Sequence, residues 1–361
     1  FTDGVLLSGD SVRATVKYST DNNNLETTLL KVLDNLLSGI NAGSIKRLVL
    51  STTLVTNMLA TDNLPETALL LIPGPGLPLD TYRLFEHTYF LKGSIDFRGR
   101  KVVALDRQEV EQAVADIQVQ GINKIAIIGK FSNRNGELEK EVRDIVLDKM
   151  PRAEVAIGSE TAGQLNFMRR IVTTYYSLMA QEAWAGFAGE IDKALQERGI
   201  TAVVDVLKAD GGTIPLPVSV SKPCETIFSG PAASTMGAVA LAKEPRNSVV
   251  IDIGGTTSDI SLLIEGQPLN ASKGARIKGH YTHINAFSVS SVDLGGDSPI
   301  QIEHNEVKLS YRREGSAACL GGDVPTVIDA FNHKHQLNIG EPARSAEKLD
   351  IMAANTGIET E

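Results

Sequence analysis

The stretch from Val249 to Leu263 constrains the fold of this chain more than any other. It runs Val249-Val250-Ile251-Asp252-Ile253, then Gly254-Gly255-Thr256-Thr257, then Ser258-Asp259-Ile260-Ser261-Leu262-Leu263. Two apolar runs, each long enough for a buried strand, flank a short turn of glycine and hydroxyl residues. An aspartate stands at either end. Gly254 and Gly255 clear side chains from the backbone N–H groups, so a phosphate can approach them. Thr256, Thr257 and Ser258 add hydroxyl donors. Asp252, at the end of its strand, is placed to hold a hydrated Mg²⁺ that bridges phosphate oxygens. The plainer reading is a β-hairpin whose Gly-Gly pair supplies positive φ. It explains neither the aspartate before the turn nor the hydroxyl run after it, so the expectation is a nucleotide-phosphate loop.

Strands and helices alternate through the first half, which predicts an α/β layer architecture. Gly4–Leu7 and Ala14–Tyr18 read as a hairpin, Leu25–Leu37 as a helix, Leu48–Leu50 as a strand and Leu54–Ala60 as a helix. Strand Ala68–Ile72 ends in Pro73-Gly74-Pro75-Gly76, and an irregular region is expected up to about Leu105. Asp106 and Glu109 have capping-box spacing at the head of a helix. Strand 124–128, helix 137–149 and strand 154–157 follow. The longest helical pattern lies between Glu160 and Arg198, with Gly186 and Gly189 as weak points and Gly199 as its stop. It reads as the bridge between two domains, 1–165 and 166–361. A small-residue helix then starts near Ser229-Gly230-Pro231, where Pro in the first turn suits a helix end that faces an anion.

A length of 361 residues suits about two domains. The net charge of −9 and the absence of a basic run argue against nucleic acid as a partner. Two cysteines, Cys224 and Cys319, suit a reducing compartment, and no apolar run is long enough for a membrane span, so a cytoplasmic protein is expected. The chain begins at Phe1 rather than Met, and Thr2-Asp3-Gly4-Val5-Leu6-Leu7 echoes Ser258-Asp259-Ile260-Ser261-Leu262-Leu263. This predicts a second phosphate loop whose glycines lie upstream of residue 1; the alternative is an ordinary surface strand.

Several ordered segments resemble the hydantoinase A and 5-oxoprolinase family. They are Phe1-Thr2-Asp3, Ser51-Thr52-Thr53-Leu54-Val55-Thr56-Asn57, Asp210-Gly211-Gly212, Ser229-Gly230-Pro231-Ala232-Ala233, Asp252 to Asp259, and Pro325-Thr326-Val327-Ile328-Asp329-Ala330. The resemblance implies two RNase H-like domains of the actin and Hsp70 ATPase type, with a nucleotide cleft between them. It implies ATP and Mg²⁺ as cofactors and the ATP-dependent ring opening of a small cyclic amide. A second, B-type subunit or a homo-oligomer is implied as well. Asp252 would organise the metal, and Gly254, Gly255, Thr256, Thr257 and Ser258 the phosphates. Thr2, Ser229, Gly230, Gly295 and Gly296 complete the expected nucleotide contacts. Asp259 would orient the loop or act on water, and Asp3 would be its counterpart. A kinase of the same fold and a non-catalytic nucleotide-binding subunit are the alternatives. The chain departs from the family pattern at Ser290, Asp293 and Asp297, which stand where a histidine and two glycines are common. Two added carboxylates there would repel a triphosphate.

His280 and His283 have His-x-x-His spacing, with His304 or Asp293 as further metal-ligand candidates; the reading preferred over zinc is a pair of ordinary surface histidines. Cys319 lacks an activating base nearby in sequence and reads as a packed thiol.

Overall fold

The chain opens with an antiparallel hairpin, β1 (Thr2–Ser8) and β2 (Ser11–Tyr18), followed by α1 (Leu25–Leu36). The computed structural model describes residues 2–18, 20, 25–60, 64–242, 244–304 and 306–356; Phe1 and the last five residues of the expected tail lie outside them. Next come β3 (Arg47–Leu50), α2 (Leu54–Ala60) and β4 (Thr67–Ile72). The region expected to be irregular holds three short strands: β5 (Thr88–Phe90), β6 (Ser94–Ile95) and β7 (Lys101–Val103). At two or three residues each they are too short to show a period. Then follow α3 (Arg107–Val119), β8 (Lys124–Gly129), α4 (Glu137–Lys149), β9 (Glu154–Ile157) and the single turn α5 (Gly158–Thr161).

Strands β5-β4-β8-β9 form a parallel sheet. Every residue of β4 and β8 is buried, as expected for a sheet covered on both faces. Alternation along β4 separates two cores. Ala68, Leu70 and Ile72 pack in one with Val110, Val114, Val142 and Val146 of α3 and α4. Leu69 and Leu71 face Phe167, Ile171 and Leu178 of α6 (Phe167–Glu197) on the other side.

Helix α6 is a single helix of 31 residues, uninterrupted at Gly186 and Gly189. Its C-terminal half packs Met179, Trp184, Phe187 and Ile191 in a core with Leu50 of β3, Leu59 of α2 and Val206 of β10 (Val203–Leu207). Strand β10 lies parallel to β3 and antiparallel to β11 (Thr213–Pro215), which leads into α7 (Leu216–Ser219). Burial along its whole length keeps α6 continuous despite the glycine cost of about 1 kcal/mol each. The chain divides into two compact units, 1–233 with 270–286, and 234–269 with 287–361. The expected bridging helix and the expected boundary at 165 therefore both fall inside the first unit, because α6 serves two of its cores.

Helix α8 (Ser229–Leu241) is followed by β12 (Ser248–Ile253), β13 (Ser258–Ile264) and β14 (Gln267–Pro268). Residues 270–286, with β15 (Arg276–Ile277) and β16 (His280–Tyr281), belong to the first unit because Ala275, Ile277, Ile284 and Ala286 join the α6 core. The second unit continues with β17 (Val289–Val292), β18 (Ile300–Glu303), β19 (Glu306–Leu309), α9 (Val327–His335) and α10 (Pro342–Thr356). Its main sheet is antiparallel, ordered β12-β13-β14, with β17 also paired to β13. Strand β12 is an edge strand and not the fully buried one expected: Val249, Ile251 and Ile253 are exposed while Val250 and Asp252 turn inward.

Candidate functional site: the hairpin turn and its glycine buttress

Strands β12 and β13 pair so that Asp252 stands directly opposite Asp259, and Ile253 opposite Ser258. Directly opposed residues share a face of the sheet, so the two carboxylates project to the same side. The connecting turn closes with Gly254 N–H donating to the Thr257 carbonyl at 2.8 Å. Among the described residues, the N–H groups of Gly255, Thr256 and Thr257 and the hydroxyls of Thr256 and Thr257 have no partner. These are the donors a phosphate chain needs. Ser258 is different, because its hydroxyl donates to the Leu294 carbonyl at 2.7 Å and so tethers the turn.

The turn is a β-hairpin, but neither turn glycine has positive φ, so turn conformation does not account for the glycines. The glycines are required by close approach. Gly296 N–H donates to the Gly254 carbonyl at 2.9 Å and Asp297 N–H to the Gly255 carbonyl at 2.7 Å. A Cβ on Gly295 would lie 2.6 Å from both of those carbonyl oxygens, and one on Gly296 would lie 2.6 Å from Ile328 Cγ1. Two glycine turns thus interlock through their backbones. Behind them, Ile328 N–H donates to the Gly296 carbonyl at 2.8 Å and Val327 N–H to the Ser298 carbonyl at 3.1 Å. The Pro325–Ala330 segment is therefore a buttress for the glycine turn. Asp329 fixes it in turn: buried, its carboxylate accepts the N–H groups of Ala318 and Cys319 at 2.8 Å and of Thr326 at 2.9 Å. Burial pushes the Asp329 carboxyl up, but these backbone donors and the Ser345 hydroxyl outweigh it and hold the group below its ordinary value.

Asp297 is half-buried and paired with Arg313 at 2.7 Å. Burial pushes its carboxyl above the ordinary value, and the guanidinium opposes that rise. Asp293 is exposed just past the end of β17.

Asp252 accepts a hydrogen bond from the Ser234 hydroxyl of α8, and the Thr235 and Ser261 hydroxyls bond at 2.8 Å beneath it. Ser234 was not singled out in the sequence; its only signal is a hydroxyl in an otherwise apolar small-residue helix. Neither Asp252 nor Asp259 is ion-paired among the described residues, where no group of three or more metal-ligating side chains occurs. A hydrated Mg²⁺ requires only one or two protein carboxylates with phosphate oxygens completing its shell. Two facing carboxylates lacking a counter-charge, beside a turn of unpartnered donors, fit Mg²⁺ and a phosphate chain.

Thr2, Asp3, Ser229 and Gly230 belong to the first unit. Asp3 is exposed and salt-bridged across the hairpin to Lys17 at 2.8 Å, and the Thr2 and Thr20 hydroxyls bond at 2.9 Å. Ser229 is buried, its hydroxyl 2.9 Å from that of Ser51. Phe228 N–H donates to Thr56 Oγ1 at 3.2 Å from a backbone with φ of 51°. The Ser51–Asn57 and Ser229–Ala233 segments therefore meet in the loops after β3. After the adjacent strand β10, Gly211 adopts φ of 76°, and Gly212 N–H donates to the Asp210 carboxylate at 3.0 Å.

His280 and His283 are not a metal pair, nor are both on the surface. His283 is buried; its Nε2 lies 3.1 Å from the Asn166 carbonyl and donates to it, Nδ1 has no partner, and burial holds the imidazole below its ordinary value. His280 packs its ring against Phe85. Cys319 is a buried free thiol, pushed up by burial, as a packed cysteine should be. Among the described residues no helix is long and apolar enough to cross a membrane.

Comparison with known proteins places the chain in a family. The hydantoinase/oxoprolinase family matches residues 170–359, and its N-terminal region matches 1–150. The caprolactamase subunit alpha of Pseudomonas jessenii is 25% identical over 246 residues, covering 66% of this chain and 35% of that protein. The acetone carboxylase beta subunit of Xanthobacter autotrophicus is 29% identical over 178 residues, 48% of this chain and 24% of that one. The chain thus spans about a third or less of these relatives' length. Among solved structures, nucleotide-free acetone carboxylase matches with a TM-score of 0.78 at 21% identity, covering 96% of this chain and 56% of that chain. The ATP-dependent caprolactamase of Pseudomonas jessenii matches with a TM-score of 0.69 at 19% identity, covering 99% and 61%. Both likenesses establish the α/β fold. Matched along nearly its whole length, the chain belongs to the hydantoinase/oxoprolinase family.

Proposed function

We propose that this chain supplies the Mg²⁺-ATP phosphate site of an enzyme that opens a small cyclic amide such as 5-oxoproline or a hydantoin. The observation that carries the reading is the β12–β13 turn, where unpartnered donors stand beside two facing carboxylates that lack a cation. Mg²⁺-ATP would supply a phosphoryl group to the amide oxygen, making the carbonyl carbon electrophilic toward water. The residues of this chain do the rest by positioning. Asp252, oriented by Ser234, would hold the metal and Asp259 its water shell. Gly254 to Thr257 would take the phosphates, while Ser258, Gly295 and Gly296 keep the turn in shape. Asp3 and Thr2 would belong to a second phosphate loop, and Ser229 and Gly230 would set the loops after β3. Two RNase H-like domains of the actin and Hsp70 type are part of the same proposal, supported by the order of the family segments and the solved relatives.

Relatives named as alpha and beta subunits favour a partner subunit for this chain too. One of those relatives is named for acetone, which favours a ketone oxygen as the second candidate acceptor. The test is calorimetry with Mg²⁺-ATP, then ATP hydrolysis by the whole polypeptide with its neighbour subunit in the presence of 5-oxoproline, a hydantoin, caprolactam or acetone with bicarbonate. Binding that Asp252→Ala abolishes, with turnover stimulated by a cyclic amide, is expected. Stimulation by the ketone alone moves the substrate to the second candidate. A stable phosphorylated product points to a kinase, and binding without turnover to a non-catalytic subunit. No binding of Mg²⁺-ATP overturns the whole reading.

A further inference from the structure

Away from the hairpin, the first unit contains a cavity of about 400 Å³ at the carboxyl ends of β4 and β5. Loops leave a parallel sheet on this side, and ligands of α/β proteins bind there. The volume falls in the range of small-molecule sites. Pro73, Leu79, Phe90 and Val103 make its apolar wall. Ser94, also on the wall, is only 5% exposed, and its hydroxyl has no partner among the described residues. The Oγ is not sealed in packed protein, so it can donate to or accept from a ligand atom in the cavity.

The two charges on the wall are Lys92 and Glu109. Glu109 has the spacing to close a capping box with Asp106, but it is drawn away to the cavity. One of its oxygens accepts Lys92 N–H at 2.6 Å, and the other lies 3.8 Å from Lys92 Nζ. At 3.8 Å the ammonium is attracted but not hydrogen-bonded, so it keeps its donors, and the second carboxylate oxygen keeps its acceptor capacity. The wall therefore offers a donor cation, a free hydroxyl and an acceptor anion beside an apolar surface.

We propose that this cavity binds a small amino acid with an apolar side chain. Its carboxylate would lie against Lys92 Nζ and the Ser94 hydroxyl, its ammonium against Glu109, and its side chain against Pro73, Phe90 and Val103. A plain anion would meet Glu109 and a plain cation Lys92, whereas a zwitterion satisfies both and brings no net charge into an apolar wall. Binding does not depend on what the hairpin turn does. Ring opening of a lactam or of 5-oxoproline does yield an amino acid, and a role as a product sensor, unlike the binding itself, rests on that reading.

The test is a calorimetric or NMR titration of the protein with L-leucine, isocaproate (no amine) and isoamylamine (no carboxylate). Leucine should bind saturably, and each analogue about tenfold more weakly or worse, as loss of a charge-assisted hydrogen bond requires. Glu109→Gln, which still accepts Lys92 N–H and keeps the loop, and Lys92→Met should show the same loss. Val103→Trp, filling the cavity from its rim, should abolish binding, and Asp252→Asn should leave it unchanged. No leucine binding at millimolar concentration, isocaproate binding as tightly as leucine, or binding unaffected by Glu109→Gln and Val103→Trp would overturn the assignment.

Discussion

Gly295→Ala tests the interlock of the two glycine turns. Gly295 does not have positive φ, so alanine meets no backbone penalty there and the effect is steric alone. The new Cβ would sit 2.6 Å from the carbonyl oxygens of both Gly254 and Gly255, which are backbone atoms of an opposing turn and cannot rotate aside. Relief requires the turns to separate, which breaks the bonds from Gly296 and Asp297 to those same carbonyls. Overpacking costs about 1–3 kcal/mol and each lost backbone bond about 1 kcal/mol. The expected loss is therefore about 3–5 kcal/mol. Gly254→Ala, whose Cβ would approach one carbonyl at 3.1 Å, should cost less. Gly255→Ala, which meets only the movable Asp297 carboxylate at 3.0 Å, should cost least. The assay must follow the second unit itself. Trp184, the single tryptophan, lies in the α6 core of the first unit, so hydrogen exchange at Gly296 and Asp297 is the proper readout. Equal protection in all three variants, or a greater loss at Gly255 than at Gly295, would refute the interlock.

Three further outcomes are expected. Asp329→Asn should cost about 2–4 kcal/mol at neutral pH, since the amide opposes one of the N–H donors that the carboxylate accepts. Because the folded group lies below its ordinary value, that stabilisation is present above the unfolded pKa and lost as pH falls through the folded one; denaturation of wild type and variant should converge in acid. Arg170→Met should cost about 2–4 kcal/mol by urea denaturation, because it removes the buried guanidinium's hydrogen bonds to the Gln164 and Gly129 carbonyls and its attraction to the buried Glu139 carboxylate. Asp259→Asn should raise the stability of the nucleotide-free chain by up to about 1 kcal/mol by relieving like charges directly opposed on two strands, while weakening Mg²⁺-nucleotide binding; a lower melting temperature would refute the pairing argument.

Local features of the site were legible from sequence, whereas its support was not. The Asp-Ile-Gly-Gly-Thr-Thr-Ser-Asp pattern specifies a tight turn and its donors within eight residues, because hairpin geometry is set locally. The interlock is between residues some forty positions apart, and a Gly-Gly pair does not reveal which turn it must clear. Likewise Ser234 reaches Asp252 from α8, outside the hairpin, and Arg313 reaches Asp297 from a loop with no pattern of its own. That α6 runs unbroken through Gly186 and Gly189 was not legible, because local propensity carries no information about burial on two cores. The cavity beside Ser94 was invisible for a related reason: Glu109 has capping-box spacing, and only the fold shows that its carboxylate is spent on Lys92.

The two carboxylates of the second turn, which stand where the family resemblance leads glycines to be expected, bear differently on nucleotide binding. Asp297 lies under Gly255, but Arg313 neutralises it at 2.7 Å, so the pair presents to a phosphate much the same charge as the glycine it replaces. Asp293 is exposed, and its repulsion is screened by salt over about 8–10 Å. The expected repulsion of a triphosphate therefore depends on whether Arg313 is present. Arg313→Gln should weaken Mg²⁺-ATP binding about five- to tenfold, about 1 kcal/mol. Because loss of the guanidinium lets burial raise the Asp297 carboxyl further, more of it is protonated in mild acid, and the defect should be larger at high pH than at low. Asp297→Gly in the same chain should restore binding, since it removes the charge that Arg313 offset and supplies the family's own residue. A double-mutant cycle by calorimetry measures this directly. If Asp297→Gly fails to rescue Arg313→Gln, or the loss is independent of pH, Arg313 acts on the nucleotide itself and not through Asp297.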